Sequence, residues 1–112
     1  MLAIDKIIEL IGTPFDQLKC WDLVAEVYRR SGITLSHYTQ INMGLWEEVQ
    51  EPVQGDVLVF ALYGVELDHV GVYIGDGQFI HATEHSGTCI ERLSRYRQKL
   101  KHMYRWGGGI YG

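Results

Sequence analysis

The sequence predicts a single α+β domain in which N-terminal helices pack on an antiparallel β-sheet. Two observations support this fold class. Apolar residues in the first third of the chain recur at helical spacing, and the strand-like runs all follow residue 55 and include a hairpin signal. The 112 residues, 46% of them hydrophobic and 21% charged, suffice for one compact domain spanning residues 1–112.

The first third of the chain predicts two helices. Isoleucines recur at helical spacing near the N-terminus, at Ile4, Ile7, Ile8 and Ile11, and the Gly-Thr-Pro run at residues 12–14 ends that helix. A second helix is expected to start near Cys20 and to end at Ser31-Gly32. Its expected buried stripe comprises Leu23, Val24, Val27 and Tyr28. A further short helix is expected near Met43–Val49.

Three strand-like runs follow, at Asp56–Leu62, His69–Ile74 and Gln78–Thr83. The run Gly75-Asp76-Gly77 predicts a hairpin with a three-residue loop, because a two-residue loop would mix polar and apolar side chains on both faces. The expected pairs are Ile74 with Gln78 and Val72 with Ile80. One face then comprises Val70, Val72, Ile74, Ile80 and Ala82. The other comprises His69, Gly71, Tyr73, Phe79 and His81.

The net charge of −4 is unevenly distributed, because residues 91–112 contain six Lys/Arg and one acidic residue. Leu93, Tyr96, Leu100 and Met103 recur there at helical spacing. We therefore interpret the basic side chains as the solvated face of a helix and predict no nucleic-acid partner.

The N-terminus does not resemble a signal peptide, because Asp5, Lys6 and Glu9 interrupt its apolar residues. No run is long enough to span a membrane. We therefore expect synthesis and folding in the cytoplasm, or release from a longer protein.

Cys20, His69 and His81 have the residue types of a nucleophile, a base and a group that orients the base. A thiol at a helix N-terminus lies at the positive end of the helix dipole, so its pKa is expected to be lowered. His81 lies diagonal to His69 on one sheet face, at roughly 7–8 Å, and Gly71 leaves space between them. The arrangement indicates a cysteine hydrolase, with a structural role for each residue as the alternative.

Cys89 lacks an activating base among its sequence neighbours, so we expect a reduced thiol that is not bridged to Cys20. A zinc site formed by His81, His85, Cys89 and Cys20 is an alternative, since imidazole nitrogen and thiolate sulfur are zinc ligands. No C-x-x-C or H-E-x-x-H pattern supports it, and we predict no metal and no cofactor.

Four stretches resemble the NlpC-type peptidoglycan endopeptidases, a papain-like family. They are IGTPF at residues 11–15, CWDLV at 20–24, GDVLVF at 55–60 and HVGVYIGDGQFIHA at 69–82. The resemblance covers roughly residues 1–95, and the last stretch is the most specific. It implies a papain-like fold with Cys20 as nucleophile, His69 as general base and His81 as third triad member.

The resemblance also implies a substrate. The family typically cleaves the amide between γ-D-glutamate and diaminopimelate or lysine in peptidoglycan stem peptides. It points to Phe15, Trp21 and Asp22 as substrate-binding positions. The short chain most resembles versions associated with phage tails, which implies phage-tail proteins as partners and location in a virion or delivery to the cell wall.

Three positions depart from the family pattern. Phe15 replaces a common tyrosine, Lys19 replaces an aspartate before the cysteine, and Asp22 replaces a glycine. These changes leave two alternatives open. One is a catalytically weakened module in a phage tail or bound to the wall, and the other is an amidase or acyltransferase on the same fold.

Overall fold

The computed structural model describes residues 2–35 and 46–107, and it confirms the predicted α+β class. Helix α1 spans Ile4–Ile7 and continues as a 3₁₀ turn over Ile8–Leu10, and helix α2 spans Cys20–Arg30. The strands are β1 Trp46–Glu48, β2 Val57–Phe60, β3 His69–Gly75, β4 Gln78–Thr83, β5 Gly87–Arg92 and β6 Leu100–Trp106. A second 3₁₀ turn, Leu93–Tyr96, connects β5 to β6. All strands pair antiparallel in one sheet, in the order β1-β6-β2-β3-β4-β5.

Both faces of this sheet are covered by apolar side chains. Helix α2 packs on one face through Leu23, Val24, Val27 and Tyr28, which are fully buried against residues that include Val57, Val72, Ile80 and Ala82. Burial of each such side chain stabilises the fold by about 1.5–3 kcal/mol. The second face carries a smaller cluster of Leu58, Phe60, Phe79, Leu93 and Met103. The apolar face and the buried stripe of α2 are therefore as the sequence predicts.

The hairpin between β3 and β4 keeps the predicted pairing of Val72 with Ile80 but differs at its tip. Gly75, rather than Ile74, pairs with Gln78, and a bulge between Tyr73 and Gly75 absorbs the extra residue. The loop therefore has two residues, Asp76 and Gly77, both with positive φ. The prediction of a three-residue loop is wrong, because a bulge allows a short loop without moving any side chain to the opposite face.

The C-terminal segment is a strand and not the predicted helix. The apolar spacing from Leu93 onward is divided between the 3₁₀ turn and β6, which pairs with β2 on one side and β1 on the other. The guanidinium of Arg105 on β6 donates to both carboxylate oxygens of the buried Asp56, at 3.0 and 2.9 Å. Its charge is thus paired within the fold, although the sequence interpretation placed it on a solvated face.

Two further expectations differ from the structure. Residues 46–48 of the expected helix near Met43–Val49 form β1, and residues 43–45 lie outside the described residues. Strand β2 is shorter than the expected run Asp56–Leu62. Within residues 2–35 and 46–107, neither helix has the length and apolar character needed to cross a bilayer.

Gly87, the first residue of β5, holds the loop that precedes α2. Its φ is +64°, and a Cβ atom there would lie 2.1 Å from the carbonyl oxygen of Thr13. The neighbouring Thr88 donates its N–H to that same oxygen at 2.9 Å, and Gly12 donates to the Thr88 carbonyl at 2.8 Å. This close approach connects the edge strand to the segment that leads into Cys20.

We predict that Gly87→Ala lowers the free energy of unfolding by about 2–5 kcal/mol, because a left-handed backbone and a steric clash add together. Gly77→Ala is the matched control, since its φ is +75° but nothing lies within 4 Å of the added Cβ. It should lose only about 1–2 kcal/mol. Urea unfolding measures both, and equal losses would show that the contact with Thr13 does not constrain the fold.

Candidate active site

Cys20 is the first residue of α2, and its sulfur lies beside the first residue of β3. The distance from Cys20 Sγ to His69 Nδ1 is 3.3 Å. Helix α2 packs against β3 and β4, so the packing that buries its apolar stripe also sets the position of its N-terminal thiol. The helix and the hairpin therefore bring together two residues that are 49 positions apart in the chain.

A chain of hydrogen bonds continues from His69 across the sheet. His69 Nε2 lies 2.8 Å from His81 Nδ1, and His81 Nε2 lies 2.6 Å from Glu91 Oε2. The hydroxyl of Tyr96 donates to the same carboxylate oxygen at 2.8 Å. The structure thus brings together all three residues predicted from the sequence and extends the series to Glu91 and Tyr96.

Aromatic rings enclose the two imidazoles. The ring of Phe60 is centred 5.6 Å from that of His69, and the rings of Phe79 and Tyr96 are centred 4.4 and 5.5 Å from that of His81. His69 is 6% exposed and His81 is 1% exposed. The second apolar cluster of the sheet is therefore also the wall that keeps water away from the imidazoles.

This burial favours neutral histidines. Burial and, to a smaller extent, the neighbouring His81 lower the pKa of His69 to about 4, although the negative charges of Asp68 and Glu91 oppose the shift. Burial also lowers the pKa of His81, against the hydrogen bond and negative charge of Glu91. At neutral pH each imidazole therefore has one protonated and one unprotonated nitrogen.

The expected lowering of the Cys20 pKa is not what the structure shows. Burial raises the pKa of the thiol above its ordinary value, and the charges of Asp68 and Asp22 add to this. Backbone N–H groups of Val70 and of Cys20 itself lower it by less. Desolvation thus outweighs the helix terminus, and the resting pair is a thiol beside a neutral imidazole.

A cavity of about 380 Å³ opens over Cys20, His69 and His81. Of the three expected substrate-binding residues, Phe15 lines this cavity. Trp21 packs against the core beneath α2, and the exposed Asp22 lines a separate hollow on the outer side of that helix. Their sequence position beside Cys20 does not bring them to the cavity, because successive helical residues point about 100° apart.

Glu91 and Tyr96 were not anticipated, because the sequence interpretation did not include β5 and assigned Tyr96 to the apolar side of a helix. The sequence signal that could have found Glu91 is the turn dipeptide Ser86-Gly87, after which the run Gly87–Arg92 returns as a strand. His81 pairs directly with Cys89 in this register. Side chains two residues apart on a strand share a face, so Glu91 follows Cys89 on the face of His81.

The alternative zinc site considered from the sequence comprised His81, His85, Cys89 and Cys20, whereas the structure brings His81, Cys89 and Glu91 together. His81, Cys89 and Glu91 place one potential ligand atom each within 4.8 Å of one another, while Cys20 lies on the far side of His69. His81 Nε2 and Glu91 Oε2 are 2.6 Å apart, a hydrogen-bond distance. Two ligands of one tetrahedral zinc are separated by about 3.3 Å. The geometry is therefore that of a hydrogen-bonded pair, and both cysteines are free thiols, as expected for Cys89.

Comparisons with known proteins show which family this chain resembles. The profile described as NlpC/P60 family matches residues 10–106. The murein DD-endopeptidase MepS/murein LD-carboxypeptidase of Escherichia coli K12 is 31% identical over 94 residues, which are 81% of this chain and 50% of that protein. The gamma-DL-glutamyl hydrolase of Bacillus subtilis 168 is 32% identical over 94 residues, which are 80% of this chain and 23% of that protein. This chain thus spans half or less of the length of these relatives.

Solved structures share the fold. The NlpC/p60 domain of the peptidoglycan hydrolase SagA superposes with a TM-score of 0.70 at 20% identity, covering 91% of this chain and 94% of that one. The match to the family profile covers most of the chain, including α2, the hairpin and both predicted histidines. The chain therefore belongs to the NlpC/P60 family.

Proposed function

We propose that this domain is a cysteine hydrolase of peptidoglycan stem peptides in which Cys20 is the nucleophile, His69 the general base and His81 the group that orients the base. The observation that supports this most directly is the continuous contact from Cys20 Sγ through both nitrogens of His69 to His81 Nδ1. A nucleophile within reach of a base, with the base held by a third group, is the arrangement that acyl-transfer enzymes use.

In the first half of the proposed reaction, His69 Nδ1 takes the thiol proton as Cys20 Sγ attacks the amide carbonyl carbon. The negative charge that forms on the carbonyl oxygen lies near the first turn of α2, whose N–H groups have no acceptor within the helix. The C–N bond then breaks, and His69 returns the proton to the departing amine. This leaves a thioester between Cys20 and the acyl fragment of the substrate.

In the second half, His69 Nδ1 takes a proton from water, and the resulting hydroxide attacks the thioester carbonyl. The C–S bond breaks, the carboxylic acid product leaves, and the proton passes from His69 to the Cys20 thiolate. The starting state is restored as a neutral thiol beside a neutral imidazole, which agrees with the raised pKa of Cys20 and the lowered pKa of His69.

The charges around the cavity support a peptide substrate with both carboxylates and amines. Asp68 and Glu84 contribute negative groups to the lining, while Lys99 contributes a positive one. The size and open shape of the cavity suit part of a chain rather than a small enclosed molecule. These properties support a stem peptide as the substrate. They do not distinguish which amide bond of that peptide is cleaved.

For that bond we propose the γ-D-glutamyl linkage to diaminopimelate or lysine. Support comes from the sequence resemblance and from the similarity to a protein named gamma-DL-glutamyl hydrolase. The similarity to a murein DD-endopeptidase/LD-carboxypeptidase names two competing bonds. Mass spectrometry of digested muropeptides separates them, because each bond releases fragments of different mass.

The association with phage tails, and with it the location in a virion, stays a prediction of the sequence resemblance. Mass spectrometry of purified virions tests it directly.

The first prediction from the proposed function concerns the three residues of the proposed triad. Cys20→Ala and His69→Ala should each abolish hydrolysis of purified muropeptides, since these residues act as one unit and their losses do not add. His81→Ala should retain measurable turnover, because water can partly replace an orienting group. His102→Ala is the control, since that partly exposed histidine of β6 pairs with Glu48 of β1, away from the cavity. Full activity of Cys20→Ala would refute the proposed nucleophile.

The second prediction concerns the pH dependence of Cys20 alkylation. In a Cys89→Ser background, iodoacetamide should label Cys20 near neutral pH, because His69 stays unprotonated above about pH 4 and can accept the thiol proton. In His69→Ala the labelling curve should move to alkaline pH, since the buried thiol has a raised pKa of its own. Intact mass follows the adduct, and superimposable curves for the two proteins would remove His69 from the mechanism.

The third prediction concerns Phe15, which lines the cavity where the family commonly has tyrosine. Phe15→Tyr should raise kcat by up to about 10²-fold, because it restores a hydrogen-bond donor near the reacting carbonyl. Phe15→Leu is the control for ring packing and should not raise kcat. If Phe15→Tyr leaves kcat unchanged, the ring does not reach the reacting group.

A further inference from the structure

We propose that Glu91 is a positioning residue that sets the direction of both histidine hydrogen bonds and thereby leaves His69 Nδ1 able to accept the Cys20 proton. The inference rests on the proposed function, and it concerns a residue outside the Cys-His-His triad of that proposal. Glu91 lies one histidine away from the base, on the edge strand β5.

The first step is that Glu91 can only accept hydrogen bonds. Burial alone would raise its pKa, but hydrogen bonds from Tyr96 and His81 outweigh burial and hold the pKa below the ordinary carboxyl value. Glu91 is therefore ionised at neutral pH, and a carboxylate has no proton to donate. The pKa of Tyr96 is raised to about 12 by burial and by its bond to Glu91, so its hydroxyl remains a donor.

The second step assigns the proton of His81. Its Nε2 lies 2.6 Å from the acceptor-only Glu91 Oε2, so this nitrogen must be the protonated one. A neutral imidazole has a single N–H, and burial keeps His81 neutral. His81 Nδ1 is consequently an acceptor.

The third step assigns the proton of His69. Its Nε2 lies 2.8 Å from His81 Nδ1, and since that nitrogen accepts, His69 Nε2 must donate. His69 Nδ1 is then unprotonated, and it faces Cys20 Sγ at 3.3 Å. The opposite direction would place two lone pairs 2.6 Å apart between His81 and Glu91, which is repulsive. One carboxylate thus determines the tautomers of both imidazoles.

The charged and titratable groups around this hydrogen-bonded series agree with the assigned tautomers of the two histidines. Glu91 is approached by His81 from β4, by Cys89 on its own strand, and by Tyr96 and Arg95 from the 3₁₀ turn. His69 is approached by Cys20 and Asp68. The negative charge of Glu91 raises the pKa of His69 and so stabilises the imidazolium that forms when the thiol proton is transferred.

A second glutamate–histidine pair provides a matched control. Glu48 Oε2 lies 2.6 Å from His102 Nδ1, the same separation as in the Glu91 pair, but both side chains are more than a third exposed. Glu48→Gln removes the same charge from the same kind of contact away from the cavity. It therefore reports what the loss of such a pair does to the protein in general.

The experiment compares Glu91→Leu, Glu91→Gln and Glu48→Gln with the wild type at pH 7. ¹⁵N-histidine NMR distinguishes protonated from unprotonated ring nitrogens, and steady-state kinetics on muropeptides separates kcat from KM. In the wild type and in Glu48→Gln, both His69 and His81 should be protonated at Nε2. Glu91→Leu should lose this preference and lose roughly tenfold to a hundredfold in kcat, with KM little changed. Glu91→Gln, which keeps an acceptor but not the charge, should fall between them.

Wild-type tautomers in Glu91→Leu would overturn the proposal, and so would a kcat no lower than that of Glu48→Gln. If Glu91→Leu fails to fold, Glu91→Gln decides, and wild-type kcat in that variant would refute the role of the carboxylate. An inactive wild type would refute the proposed function separately, because the NMR comparison still reports whether Glu91 sets the tautomers. Full activity of Cys20→Ala would likewise refute the proposed function, while the role of Glu91 in setting the tautomers would still be decided by the NMR comparison.

Discussion

The pairing of β3 with β4, with Gly71 opposite His81, is the constraint on which the rest of the structure depends. Side chains alternate along a strand, so a slip of one residue would move every apolar side chain of β4 to the other face. The observed register presents Val72 and Ile80 to α2 and both histidines to the opposite face. A Cβ atom at Gly71 would lie 2.9 Å from the Ile80 carbonyl oxygen, so the close pairing also requires glycine there.

Burial determines the protonation states at the site more than the helix dipole does. A helix N-terminus stabilises a negative charge by about 0.3–1 kcal/mol at an exposed position. Burial of the Cys20 sulfur raises its pKa by more than the neighbouring backbone N–H groups lower it, and nearby Asp68 adds repulsion, so the thiol stays protonated. The same low-polarity surroundings keep His69 neutral. In the proposed mechanism, a neutral pair requires an unprotonated His69 Nδ1, and the carboxylate of Glu91 at the far end of the hydrogen-bonded series would set that tautomer.

The sequence predicts the elements that carry Cys20, His69 and His81. It does not predict β5, β6 or the bulge in the hairpin, and each of these has its own physical reason. Helix α2 and the β3–β4 hairpin have strong periodicity and clear turn residues, so Cys20, His69 and His81 were identified. Strand β5 lacks the polar–apolar alternation of a half-buried strand, because Cys89 and Ile90 are adjacent apolar residues between Thr88 and Glu91, and Glu91 was missed with it. The helical spacing from Leu93 to Met103 was misleading, because pairing of β6 between β1 and β2 outweighs local preference. The bulge at Ile74 depends on the partner strand and has no signature in a single run of residues.

The aromatic rings around the imidazoles restrict motion as well as polarity. A half-turn of the imidazole of His69 or His81 about its Cβ–Cγ bond would break the hydrogen bonds at both ring nitrogens, each worth about 0.5–1.5 kcal/mol net. The same rotation would press the imidazole against Phe60 or Phe79. Exposed side chains reorient in picoseconds to nanoseconds, but enclosed rings wait for the surrounding packing to open. In the proposed mechanism, the proton that His69 accepts on the cavity side must therefore also leave on the cavity side, and the same nitrogen would serve both the departing amine and the incoming water.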